Sequence, residues 1–173
     1  MRTAKSSIGG IKPDNVRCDA ASEMIVTSPT GLPLPSISAP LGNYERGRII
    51  GNLGYLSGQF PIVDGALAFT GALGAQLTMG EGMEAASIAA ANAVAQINHL
   101  IAADWGRLSG LLRVDCYLAT ANDFDDGLAV LDAASARFHS LLADKGRHAR
   151  SATFVDRLPL HAPIELVVTF AVL

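Results

Sequence analysis

Residues 149–173 read ARSATFVDRLPLHAPIELVVTFAVL, and the way this stretch divides decides the fold. ARSATFVD and IELVVTFAVL have the β-branched and aromatic content of strands, and the prolines of the intervening RLPLHAP mark a turn. On the two-residue period of a strand, Arg150, Ala152 and Phe154 point one way and Ser151, Thr153 and Val155 the other. In the second strand Ile164, Leu166, Val168 and Phe170 form a bulky face, while Glu165 shares the opposite face with Val167, Thr169 and Ala171. Each strand thus sets one charge near its start. A planar guanidinium at the edge of a low-dielectric cleft can hold a carboxylate through two parallel hydrogen bonds, and a nearby carboxylate can position or deprotonate water. The same pattern admits a plainer reading, in which Arg150 and Glu165 neutralise each other or Arg150 is a solvated charge at a helix exit.

Working upstream, ANDFDDGLAVLDAASARFHSLLADKG (121–146) has helical spacing, with Phe124, Leu128, Leu131, Ser135, Phe138 and Leu142 on one stripe. Asn122 is placed to cap this helix and Gly146 to end it. LLRVDCYLAT (111–120) alternates Leu112, Val114, Cys116 and Leu118 with Arg113, Asp115 and Tyr117, as an edge or half-exposed strand does. Before it, Thr78 and Glu81 in TMGE form a capping box for a long helix ending near Asp104, with Ala90, Val94, Ile97 and Ile101 as its apolar stripe. RGRIIGNLGYLSGQFPIVDGALAFTG (46–71) carries hairpin signals at Gly-Asn and Asp-Gly, predicting strands near 46–51, 53–58 and 66–70. The resulting order is βββαβαββ, an α+β sandwich with both helices on one face of a mixed sheet. So many apolar strand residues favour burial of the other face between copies of the chain.

Residues 1–38 are rich in Ser, Gly, Pro and polar side chains and are expected to form an N-terminal arm ahead of a domain spanning 39–173. At 173 residues, 50% hydrophobic and 17% charged, the chain can bury a sizeable core as one domain. No apolar run is long enough for a membrane span, and the N-terminal segment lacks the apolar core of a secretory signal, so a cytoplasmic location is expected. A net charge of −3 with scattered basic residues argues against a nucleic-acid surface. The four histidines and the two cysteines, Cys18 and Cys116, match no metal or redox spacing, so no metal site is expected. Taken singly, Ser57 reads as a strand hydroxyl, Tyr44 as a loop aromatic and His148 as a surface cap at a helix end.

Five ordered stretches change the weight of these residues: APLGNYERG (39–47), GYLSGQFPIVDG (54–65), EAASIAAANAVAQI (84–97), DFDDGLAVLDAASARF (123–138) and ARSATFVDRLPLHAPIELVV (149–168). Together they resemble the RidA family, also called YjgF/YER057c/UK114 and formerly labelled endoribonuclease L-PSP. The resemblance implies a chorismate-mutase-like fold assembled as a homotrimer, with sites in clefts between subunits. It also implies hydrolysis of enamine and imine intermediates such as 2-iminopropanoate to the 2-oxo acid and ammonia, without cofactor. In that scheme Arg150 grips the carboxylate of a small 2-imino or 2-oxo acid, Glu165 positions water, and Tyr44, Ser57 and Gly58 line the pocket. Two positions depart from the pattern: Ala152 stands where archetypal deaminases carry cysteine, and Asp132 where they carry asparagine. A non-catalytic trimeric binder or sensor of small carboxylic acids is the second reading, and RNA cleavage, disfavoured by the acidic charge, the third.

Overall fold

The computed structural model describes residues 25–37, 40 and 42–173; the first 24 residues of the expected arm, Cys18 among them, lie outside the described residues. The elements run β1 (Gly47–Ile50), β2 (Leu53–Leu56), β3 (Ile62–Val63), β4 (Ala66–Leu67), α1 (Met79–Leu100), β5 (Leu108–Ala119), α2 (Gly127–Leu142), β6 (Ala149–Val155) and β7 (Ile164–Val172). The main sheet has the order β1-β2-β7-β5-β6. Its pairs are antiparallel except β5 with β6, which are parallel. Connectivity dictates that exception, because α2 is the crossover that returns the chain from the end of β5 to the start of β6.

Alternation along the central strands fixes the layers. Ile164, Leu166, Val168, Phe170 and Val172 are buried, as are Val114, Cys116 and Leu118 on β5, and all join one core with the alanines of α1 and the apolar face of α2. Glu165, Val167, Thr169 and Ala171 lie half-buried on the opposite face, where Ile50 and Tyr55 are exposed. Both helices therefore cover one face of a mixed sheet, the α+β arrangement expected. At Gly54 the Phe170 ring occupies the space a side chain would need, so β2 can approach β7 only with glycine there.

α1 opens with the expected capping box: Thr78 accepts from the Glu81 amide, and the Glu81 carboxylate accepts from the Thr78 amide at 2.8 Å. Its stripe of Ala90, Val94, Ile97 and Ile101 is buried. The helix stops at Leu100 rather than near Asp104, because Ala102 and Ala103 take positive φ values of 56° and 60°. α2 begins at Gly127, preceded by Asp126, and Asn122 does not cap it. Phe124 consequently packs on the core from outside the helix, and the period shifts: Val130, Leu131, Ala134, Phe138, Leu141 and Leu142 face inward while Leu128 is 59% exposed.

Two strand readings also change. β5 lies between β7 and β6 rather than at an edge, although its Arg113–Asp115–Tyr117 face is the wetter one. The strand expected at 66–70 contracts to Ala66–Leu67 and pairs only with β3, outside the main sheet. Asn92 of α1 donates from Nδ2 to the carbonyls of Phe60 and Ile62, both at 2.9 Å, and so draws this segment toward the helix.

Within the stretch expected as an arm, residues 25–37 fold into a clasp. Thr27 bridges Pro33, Leu34 enters the core, and the Thr30 hydroxyl donates to the carbonyls of Ser140 (2.9 Å) and Leu141 (3.2 Å) at the end of α2. Trp105 Nε1 donates to the Thr27 carbonyl at 3.1 Å.

Candidate functional site

Beyond β2 the chain continues alongside β7, but with one residue too many. Tyr55 pairs with Thr169 and Gln59 with Leu166, so four steps on one strand match three on the other. The surplus residue makes a bulge through Ser57 and Gly58, the device that re-aims a strand next to a site. Gly58 lets the Glu165 side chain lie in its present position. A methyl group on its Cα would overlap Glu165 Oε1, so the Glu165 carboxylate lies directly against the glycine backbone. The bulge is held on both sides: Ser57 Oγ donates to the Glu45 carbonyl at 2.6 Å, and Gln59 Nε2 donates to the Ser57 carbonyl at 2.7 Å.

On the other flank of this segment is a small, solvent-open cleft with a cavity volume of about 40 Å³, lined among others by Tyr44, Arg46, Ser57, Gly58, Gln59 and Asn92. Tyr44, Ser57 and Gly58 are thus brought together, with Glu165 against Gly58 on the neighbouring strand. Glu165 accepts no side-chain hydrogen bond among the described residues, and burial alone pushes its carboxyl above the usual range.

Arg150 lies elsewhere. Its register partner on β5 is Val114, a buried residue beneath the helices, so Arg150 belongs to the helix-covered face, whereas Glu165 pairs with Tyr117 on the open face. Within one chain the two do not meet. Arg150 Nη2 pairs instead with Asp132 Oδ1 of α2 at 2.7 Å, and its Nη1 donates to Ser135 Oγ at 3.1 Å. Ala152 follows on the same face, with Cys116 of β5 as its register partner. Burial pushes the Cys116 thiol up to about 11, which keeps it protonated at neutral pH and removes it as a nucleophile.

Ser135 and His148 complete the Arg150 cluster. His148 Nδ1 donates to the Gly146 carbonyl at 2.7 Å, and Nε2 stands 3.1 Å from Ser135 Oγ. Burial holds the imidazole below its usual range, so the neutral ring accepts at Nε2 from the serine hydroxyl, whose oxygen in turn accepts from Arg150. His148 is therefore half-buried in a directed chain of hydrogen bonds, not a surface cap. Gln59, Asn92, Ser135 and His148 were not singled out from the sequence as site residues. Polar side chains on otherwise apolar helical stretches, Asn92 in AAANAVA and Ser135 on the α2 stripe, were the signal for two of them.

Among the described residues, no helix is long and apolar enough to cross a membrane, and no three His, Cys, Asp or Glu side chains are grouped to hold a metal.

Comparison with known proteins is consistent with this architecture. A family model described as "YjgF/chorismate_mutase-like, putative endoribonuclease" matches residues 23–173, a span that includes the clasp. Protein TCP17 of Trypanosoma cruzi is 33% identical over 137 residues, covering 79% of this chain and 85% of its own. The crystal structure of a protein from Shewanella oneidensis, named as a "putative endoribonuclease", shares 32% identity over 82% of this chain and 93% of its own, with a TM-score of 0.77. The protein Atu1372 of Agrobacterium tumefaciens, of unknown function, shares 30% identity over 82% and 87% of the two chains, with a TM-score of 0.76. With the family model matching most of its length and the ordered motifs in place on the expected strands and helices, the chain belongs to the YjgF/chorismate-mutase-like family, the RidA family its sequence resembles.

Proposed function

We propose that the protein is an enamine/imine deaminase that hydrolyses small 2-imino acids to 2-oxo acids and ammonia, in sites built between copies of the chain. The observation that carries this reading is the Glu165 carboxylate, half-buried against Gly58 with its proton affinity raised and no hydrogen-bond partner among the described residues. A carboxylate in that state is free to bind water, and its raised pKa brings it closer to the pH at which it must take up and return a proton. The complementary group, Arg150, is on the opposite face of the sheet, so a second copy must supply it. A homotrimer closing the apolar open face, with Ile50, Tyr55 and Val167, would bring the two half-sites together.

The chemistry needs little more than placement. Arg150 of one copy holds the substrate carboxylate, and Glu165 of another accepts a hydrogen bond from water. The water oxygen adds to the iminium carbon as its proton passes to Glu165. Glu165 returns that proton to the nitrogen of the resulting carbinolamine, the C–N bond breaks, and the hydroxyl proton leaves with ammonia. One iminium and one water thereby give one 2-oxo acid and one ammonium ion. Tyr44, Ser57 and Gly58 bound the pocket from the bulge that Glu165 lies against, while Ala152 leaves space beside Arg150.

The test generates 2-aminoacrylate in the presence of purified protein and follows 2-oxo acid release. Wild type accelerates release, and neither Arg150→Ala nor Glu165→Gln does. Co-expressing the two variants in equal amounts restores about a quarter of wild-type activity, because one site in four then combines an intact Arg150 with an intact Glu165. Absence of acceleration by wild type overturns the deaminase reading, and absence of recovery in the mixture overturns the shared site.

A second reading has one observation in its favour: Asp132 already neutralises Arg150, as would suit a binder or sensor of small acids that no longer turns them over. Calorimetric binding of a 2-oxo acid without turnover of any imine supports it.

A further inference from the structure

Asp132 is the feature that the deaminase scheme leaves unused. Its Oδ1 is 2.7 Å from Arg150 Nη2, with the aspartate side chain 70% exposed and that of the arginine 28%. Arg150 is the seated partner and Asp132 the outward one. The guanidinium has a second tether besides Asp132: Nη1 is held by Ser135, which is held by His148, which is anchored on the Gly146 carbonyl. As a contribution to stability, a largely exposed pair of this kind adds little. What the pair changes is what the guanidinium can bind.

We infer that Asp132 is a specificity-determining residue, setting the Arg150 site to select acids that carry a positively charged nitrogen on the carbon next to the carboxylate over the corresponding oxo acids. The inference rests on the reading of Arg150 as the carboxylate-binding group. A guanidinium alone attracts any carboxylate. Paired with Asp132 it becomes a dipole of zero net charge, and a simple anion approaching Arg150 must also approach a second carboxylate, so part of the attraction is cancelled. An iminium or ammonium acid meets no such penalty. Its carboxylate and its cationic nitrogen are held on one carbon, and they match the arginine and aspartate head to tail. Among the described residues only Oδ1 of Asp132 is paired, and with the side chain 70% exposed Oδ2 is left as an acceptor for an arriving ligand nitrogen.

The arrangement has a consequence for turnover. Hydrolysis replaces the C=N bond of the substrate with C=O and carries the nitrogen away as ammonia, so the product loses the group that Asp132 favours. Substrate is thereby held more tightly than product, which promotes release once the C–N bond is broken.

L-alanine and pyruvate have the same carbon skeleton and differ in this one substituent, which makes them the probes for calorimetric titration of the full-length protein. Wild type is expected to bind L-alanine about tenfold or more tightly than pyruvate. Asp132→Asn, which keeps the shape and removes the charge, is expected to abolish or invert that preference, chiefly because pyruvate gains. Asp132→Glu, with the charge restored, is expected to retain it. An equal factor of change for both acids on Asp132→Asn, or a wild type that prefers pyruvate, overturns the inference. Arg150→Ala is a separate arm: loss of both ligands supports Arg150 as the carboxylate site, and undiminished binding of both overturns that reading whatever Asp132 does. Binding of neither acid by wild type overturns both together.

Discussion

At Glu165 a carboxylate is held half out of water, and no donor among the described residues compensates for the lost hydration. The folded state therefore binds the Glu165 proton more tightly than the unfolded chain does. The contribution of this group to stability is fully present below the unfolded pKa near 4.5 and is lost as pH rises through the higher folded value. At neutral pH the ionised glutamate works against folding. Glu165→Gln is expected to raise the thermal midpoint at pH 7 and to flatten its fall with rising pH above 4.5, measured by calorimetry across pH. The same substitution is expected to lower imine hydrolysis about a hundredfold or more, the usual contribution of a general base. Residues such as Glu165 and Arg150 were legible because a charge interrupting an apolar strand breaks a two-residue pattern. The close approach at Gly58 was not, because the side chain that fills the space there, Glu165, belongs to a residue more than a hundred positions away in the sequence.

Local chemistry settled some elements and tertiary contacts settled others. Thr78 and Glu81 form their box from four consecutive residues, with nothing further required, and α1 starts where they place it. Thr78→Ala should cost about 1 kcal/mol, lowering the thermal midpoint by about 2–4 °C, while Thr78→Ser should recover most of it. The start of α2 was misplaced because Phe124 carries a helical spacing although it packs from the preceding turn, a contact invisible to periodicity. The strand at 66–70 was over-extended and β3 was not read as a strand. On the β3 side the carbonyls of Phe60 and Ile62 are held by the Asn92 side chain from α1, a contact that no pattern within residues 60–71 announces. The parity of the last two strands, by contrast, survived: the alternation along ARSATFVD and IELVVTFAVL is the alternation of the sheet faces, whereas in β5 a register shift between Leu111 and Arg113 buries Leu111 and leaves Leu112 exposed.

Over the whole molecule, that parity divides the chemistry. Arg150, Asp132, Ser135 and His148 gather on the helix-covered side at the β6 edge, and Glu165 with Gly58 on the other. Sequence patterning alone paired the two charges. Face assignment could have separated them, but only with the β5–β6 and β5–β7 registers in hand. The helix that carries Asp132 and Ser135 is fastened at its far end by the clasp, where the Thr30 hydroxyl donates to two carbonyls of the last helical turn. Thr30→Val should therefore lower stability by about 1 kcal/mol in thermal denaturation, whereas Thr30→Ser, which keeps the hydroxyl, should be close to neutral. The clasp also rests on the indole of Trp105, the single tryptophan of the chain, through the Thr27 carbonyl. Intrinsic fluorescence from one ring thus reports whether the clasp is seated: a red shift on heating that precedes the loss of circular dichroism would time its release without any label.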